Sequence, residues 1–195
     1  MQKRQYAFLD TIKKRLIINT ASSNQASQLT ALLRKSVPGI HIEPIKHDEN
    51  LALRFANWIN HPESLSPVFQ LASDCLLFSL DDEKKRFNCK GYELPADEIL
   101  TLLSQGMAVS ELSLVWNERI QFTLTDDFTL KRIKCLDYLV EEFNEVRQLD
   151  EEYEQQDAAL TLLSGEFQAL YNDLLTVISE TTNNKEPSQK TETEI

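Results

Sequence analysis

Two short β-type runs, YAFLD and RLIINTA, flank the polar TIKK, and this pattern predicts a hairpin over about residues 5–20 with an exposed edge. The period then changes. In SSNQASQLTALLRKS, Leu29, Leu32 and Leu33 share one helical face, Ser and Asn stand at the entry, Arg34 and Lys35 fill the last turn, and Pro38-Gly39 follows, predicting a helix over about 22–36. IHIEPI reads as a strand whose pairing is restricted by Pro44, hence an edge or a strand end. A second helix is expected over about 48–60, started by Asp48 and closed near His61-Pro62.

The run VFQLASDCLLFSL, 68–80, fits either two short strands or a strand and a helical turn, because a short apolar run does not settle its period. RFNCKGYEL reads as a strand weakened at Gly91, and PADEILTLLSQG as a helix with Pro95 near its first position and Gly106 at its end. Three β runs follow, MAVSELSLVW, RIQFTLT and TLKRIKCL, joined at Asn117-Glu118 and Asp126-Asp127. Alternation in the middle run assigns Ile120, Phe122 and Leu124 to a core face and Arg119, Gln121 and Thr123 to a wet one. Beyond Asp137 the chain turns acidic and then regains apolar periodicity, as one long helix or two consecutive helices ending near Ser179. The fold class is α+β: an antiparallel sheet with packed helices over residues 1–136, a C-terminal helical segment over 137–179, and a disordered tail over 180–195, which lacks apolar residues except its last.

Composition narrows the function classes. With 195 residues and 42% hydrophobic positions the chain can bury a real core, and four glycines, in neither GxGxxG nor GxxxxGK[ST] spacing, argue against a phosphate loop. Cys75, Cys89 and Cys135 are far apart and odd in number, unlike a disulfide framework or a CxxC metal site. No apolar run is long enough for export or membrane spanning, so a cytoplasmic protein is expected. His41, His47 and His61 form neither HExxH nor an i,i+4 pair and read as structural or surface residues, and no elbow presents a Ser or Cys nucleophile. Acid runs such as Asp81-Asp82-Glu83 and Asp126-Asp127 read as solvated turns, because desolvated carboxylates side by side raise each other's pKa and destabilise a fold. A metal-dependent nuclease is therefore disfavoured, no cofactor is expected, and the protein is read as a non-enzyme.

The charge pattern points elsewhere. The formal net charge is −11, yet more than half of the twenty Lys and Arg are grouped: Lys13-Lys14-Arg15, Arg34-Lys35, Lys84-Lys85-Arg86 with Lys90, and Lys131-Arg132 with Lys134. Arg34-Lys35 suits a helix C-terminus. The last group does not reduce to capping: regular alternation sends Arg132 and Lys134 to one face and Lys131 to the other, and three cations in one strand need an anion or an acidic partner.

At this density of features the sequence resembles a known family. TALLRKS, NWI at Trp58, FQL at 69–71, LSLVWNERIQFTLTDDFTLKRIK and DAALTLLSGEFQAL are similar, in order and from about Phe8 to Leu175, to the C-terminal portion of the recombination-associated protein RdgC family. The resemblance implies a nucleoid-associated, non-sequence-specific double-stranded DNA-binding protein, a homodimer closing a basic-lined ring around the duplex and limiting the RecA recombinase. It implies phosphate contacts at Lys131, Arg132, Lys134, Arg119 and Lys90, then Lys13, Lys14 and Arg15. Family chains are longer, so the sequence is read as a truncated form without the N-terminal part. NCKGYEL replaces a more basic family run, and DCLLFS at 74–79 is more apolar than its family counterpart. The alternative is a protein-interaction module, or a remnant, that no longer encircles DNA.

Overall fold

The structure, a computed structural model, describes residues 4–45, 50–82 and 84–179. Its centre is a five-stranded antiparallel sheet of β3 (Phe69–Ser79), β4 (Arg86–Cys89), β5 (Met107–Trp116), β6 (Ile120–Thr125) and β7 (Leu130–Cys135), in the order β4-β3-β5-β6-β7. β5 and β6 join at Asn117-Glu118, both at positive φ (47° and 55°), the conformation whose twist matches flanking strands in a two-residue hairpin. Arg119 N–H closes the turn on Trp116 O at 2.9 Å. A separate hairpin, β1 (Ala7–Asp10) with β2 (Arg15–Ile18), precedes helix α1 (Ser23–Ser36).

One face of the sheet is dry. Leu112, Leu114, Ile120, Phe122 and Leu124 have no exposed surface, and Phe122 meets Phe69 of β3 edge to face at 6.4 Å between ring centres. Helix α2 (Leu51–Asn60) covers β5 with Leu51, Phe55, Trp58 and Ile59, and α3 (Asp97–Ser104) adds Ile99. Two consecutive helices end the described chain, α4 (Asp137–Val146) and α5 (Glu152–Ser179), and Leu170, Leu174, Val177 and Ile178 of α5 enter the same core. Three polar side chains fix α5 there. Trp116 Nε1 donates to Asp173 Oδ2 at 2.8 Å, the buried Arg54 donates to Val177 O at 2.6 Å, and Arg119 grips Glu166. Arg54 thus satisfies a terminal carbonyl that an α-helix leaves without an internal partner. No helix among the described residues is long and apolar enough to cross a membrane.

The α+β expectation holds, and several local ones change. Residues 40–45 form no strand: Pro44 has no N–H to donate, and the Ile42 carbonyl is taken by the Arg34 guanidinium. The ambiguous 68–80 run is a single strand, β3, with register irregularities between Leu71 and Cys75 and between Leu76 and Leu77, which explains why its apolar period is unclear. β4 stops at Cys89, and Gly91 follows at φ 71°. Asn50 caps α2 by accepting from Leu53 N–H at 3.3 Å; Asp48 and His47 lie outside the described residues, as does the 180–195 tail. Pro95 precedes the Ala96 cap of α3 rather than opening its first turn, while Gly106 does end it, at φ 85°.

Truncating Phe122 to Ala removes a fully buried ring from the centre of this core and should destabilise the protein by about 3–5 kcal/mol. Urea unfolding will show it as a lower midpoint at unchanged slope.

Candidate nucleic-acid interface

The opposite face of the sheet was expected to be wet, and it is polar but only partly wet. Ser113, Thr123 and Thr125 are 3%, 2% and 3% exposed, and the hydroxyls of Ser113 and Thr123 bond across the strands at 2.9 Å. That pairing satisfies buried hydroxyls which would otherwise carry a desolvation cost of about 1–3 kcal/mol each. On this polar floor stands Glu111 of β5. Its carboxylate receives Lys131 Nζ on Oε1 at 3.1 Å and Arg132 Nη1 on Oε2 at 3.0 Å, and Arg132 also reaches Thr123 Oγ1 at 3.3 Å.

Regular alternation would have separated these two cations; a β-bulge unites them. Thr123 pairs with Lys131 and Gln121 with Lys134, so Arg132 and Ile133 together oppose the single residue Phe122. Arg132 takes the left-handed region at φ 51°, a conformation that costs an L-residue roughly 1–2 kcal/mol. The register places Lys131 and Lys134 on the same face as Gln121 and Thr123, and the bulge adds Arg132. The expected split of Lys131 from Arg132 and Lys134 is therefore corrected: three cations converge on one face.

A groove of about 350 Å³ runs along this face between Arg86 of β4 and Lys131, floored by Ser110, Glu111 and Thr125 and closed by Asp126 and Asp127. A smaller hollow of about 40 Å³ adjoins it, with Lys90 and Asn88 on one wall and Arg132 on the other. Lys90 and Lys134 are exposed. Arg86, grouped with Lys84, Lys85 and Lys90 in the sequence, was not among the expected phosphate contacts, although Arg86, Asn88 and Lys90 alternate along the β4 run and so share a face. Glu111 was missed too, because only the sheet register reveals an acid facing the β7 cations.

The acids are committed to structure. In the β6–β7 turn the Thr125 hydroxyl donates to Asp127, Thr129 N–H donates to Thr125 Oγ1 at 2.9 Å, and Thr125 N–H donates to Thr129 O at 3.0 Å. Burial raises the Asp127 pKa, but the hydrogen bonds from Thr125 and Thr129 and the charge of Lys131 outweigh it and hold the group below its usual value. Asp126 is pushed up, first by burial and then by Asp127. Phe128, at φ 61°, completes the turn and packs edge-on against Tyr171 of α5 at 6.3 Å.

The remaining candidate cations lie elsewhere. Arg119 reaches the helical side of the sheet, where four N–H···O contacts of 2.7–2.9 Å bind it to Glu142 of α4 and Glu166 of α5. These two partners keep its guanidinium more firmly charged than usual, against the pull of burial. Arg15 donates to Asn172 Oδ1 at 2.7 Å and lies 4.5 Å above the centre of the Tyr171 ring. Lys13 and Lys14 are exposed in the β1–β2 turn, where Asp10 accepts from the N–H groups of Ile12 and Lys13. The described structure therefore groups Lys131, Arg132, Lys134 and Lys90, and places Arg119, Arg15, Lys13 and Lys14 outside that group.

The family model described as "Putative exonuclease, RdgC" matches residues 1–181. The chain belongs to the RdgC family. Proteins named "Recombination-associated protein RdgC" from Proteus mirabilis (strain HI4320) and Pasteurella multocida (strain Pm70) are similar to it, at 33% identity over 174 residues and 35% over 169. The alignments cover 89% and 86% of this chain but 57% and 55% of those relatives, so this RdgC-family chain spans little more than half their length. Among the described residues, no group of three or more His, Cys, Asp or Glu is arranged to hold a metal ion.

Glu111 supplies a test of the geometry. Burial raises its pKa, but the hydrogen bonds and charges of Lys131 and Arg132 lower it by more. A carboxylate with a lowered folded pKa stabilises the fold fully above its unfolded pKa of about 4.3, and that contribution is lost as pH falls through the folded value. Glu111→Gln should therefore flatten part of the acid limb of the stability curve below about pH 4.3, measured by urea unfolding at stepped pH beside the parent chain.

Proposed function

We propose that this chain binds double-stranded DNA without sequence preference through the polar face of its sheet, and takes part in recombination by occupying duplex that the RecA recombinase would otherwise engage. The observation that carries the reading is the bulge at Arg132, which sets Lys131, Arg132 and Lys134 on one face beside Lys90. A strand rises about 3.3 Å per residue, close to the roughly 3.4 Å of axis per phosphate along one DNA strand. Three cations in four positions therefore match the axial charge density of a phosphate row.

Glu111 does not cancel this face. Arg132 and Lys131 remain 59% and 33% exposed, and ion pairs of that kind contribute only about 0.2–1 kcal/mol, so a polyanion can take over the cations while Glu111 holds their stems in place. Nor does the overall charge of −11 preclude contact. A local basic patch attracts a polyanion whatever the sign of the total, and on the helical side of the sheet Glu142, Glu166 and Asp173 are already engaged by Arg119 and Trp116. The relatives' printed name supports a role in recombination, and the pairing of two copies around one duplex belongs to the same proposal.

A second reading, a protein-docking module, draws on the β1–β2 hairpin, where Tyr6, Leu9 and Ile12 are 65%, 50% and 91% exposed. One titration separates the two. Lys90→Gln, Lys131→Gln and Lys134→Gln combined should lower duplex affinity and reduce the slope of log K against log salt by about three, equally for unrelated sequences. Parental affinity and slope in the triple variant, or no duplex binding by the parent at low salt, would sink the DNA reading and leave the docking module.

A further inference from the structure

The reading of the polar face leaves one pair of nucleophilic side chains unused. Cys75 of β3 and Cys89 of β4 are direct cross-strand partners, both free and both buried. Ser79 N–H donates to Lys85 O at 3.0 Å, and Ser79 and Lys85 continue the register that pairs Cys75 with Cys89. Counting in twos along the ladder makes Cys75 and Cys89 a hydrogen-bonded pair, for which the Cα atoms stand about 5.5 Å apart. Disulfides most often span about 5.5–6 Å between Cα atoms. Directly opposed Cβ atoms of a hydrogen-bonded pair lie near the wide end of the roughly 4.5–5.5 Å range, so closing to the 3.5–4.5 Å of a disulfide asks for an approach of about 1–2 Å, within reach of a short edge strand.

We propose that Cys75 and Cys89 form a reversible disulfide that staples the edge strand β4 to β3, with a hydroperoxide as the oxidant. One thiolate attacks a peroxide oxygen, breaking the O–O bond to give a sulfenic acid and, with a proton, water. The second thiol displaces the hydroxyl as a second water and forms the S–S bond. Two thiols lose two electrons, and one hydrogen peroxide gains them.

The order of events follows from position. β4 is four residues long and lies at the sheet edge with three of its four residues exposed, so it is the strand that opens most readily to admit peroxide. Cys89 travels with it. Burial first, then Cys89, pushes the Cys75 thiol up, so Cys75 becomes a nucleophile only once β4 has opened and relieved that burial. Cys135 stands on β7, at the opposite edge of the sheet, and is not a strand partner of either. The inference rests on strand register alone and is independent of the DNA reading, though the staple would fix the strand that leads directly into Lys90.

Hydrogen peroxide treatment of the full chain, followed by alkylation in denaturant and peptide mapping, tests this. The expected product is a peptide linked through Cys75 and Cys89 with two hydrogens lost, formed equally in Cys135→Ser, absent in Cys75→Ser, and reversed by dithiothreitol. Amide hydrogen exchange at residues 86–89 should slow on oxidation. Full alkylation of Cys75 and Cys89 after peroxide, or links made mainly to Cys135, would overturn the proposal. Because the parental chain is itself the principal sample, failure of a serine variant to fold does not remove the test.

Discussion

Side chains alternate along a strand, and in β6 the three inward positions, Ile120, Phe122 and Leu124, are fully buried. A slip of one residue would set all three on the polar side and put Gln121, Thr123 and Thr125 among Leu112, Leu114 and Phe69, where their polar groups lose their partners, so the dry face permits one register. That register sets what the other face presents. It brings Thr123 onto Ser113, Lys131 beside Glu111 and Lys134 beside Gln121. The cationic face exists because the apolar face cannot move.

Two acid–base clusters on opposite sides of the sheet do different work. Arg119, with Glu142 and Glu166, ties α4 and α5 to the β5–β6 turn; its planar fork meets two carboxylates at once, a geometry that Lys does not reproduce. Glu111 receives two cations on a single carboxylate, the half-buried Lys131 and the exposed Arg132. The first cluster is closed and the second is open. Both look alike in the sequence, as basic residues in an acidic chain, and they separate only when partners and exposure are known.

Much of the fold was legible in the sequence. The hairpin, α1, and the β5-β6-β7 meander followed from period and turn chemistry, because local alternation and Asn-Glu or Asp-Asp turns are local facts. What the sequence concealed was non-local. The bulge at Arg132 lengthens β7 against Phe122, and nothing in LKRIK marks the extra residue without its partner strand. Arg119 resembled a groove cation because strand alternation was extended one residue too far, into the turn. Residues 40–45 resembled a strand by composition, but Arg34 and Pro44 remove backbone groups that pairing would need. Glu111 joins the candidate site through strand pairings that no local window contains, whereas Arg86 was within reach of the alternation that links it to Lys90.

The Tyr171 ring, met above as the partner of Phe128 and of Arg15, has a mechanical meaning. The β6–β7 turn, through Phe128, and the turn end of the N-terminal hairpin, through Arg15, rest against the same aromatic plate on α5. Removing that one ring would take away a packing partner from both at once, the hairpin and the loop at the mouth of the groove. Two segments more than a hundred residues apart in the chain thus share one bearing.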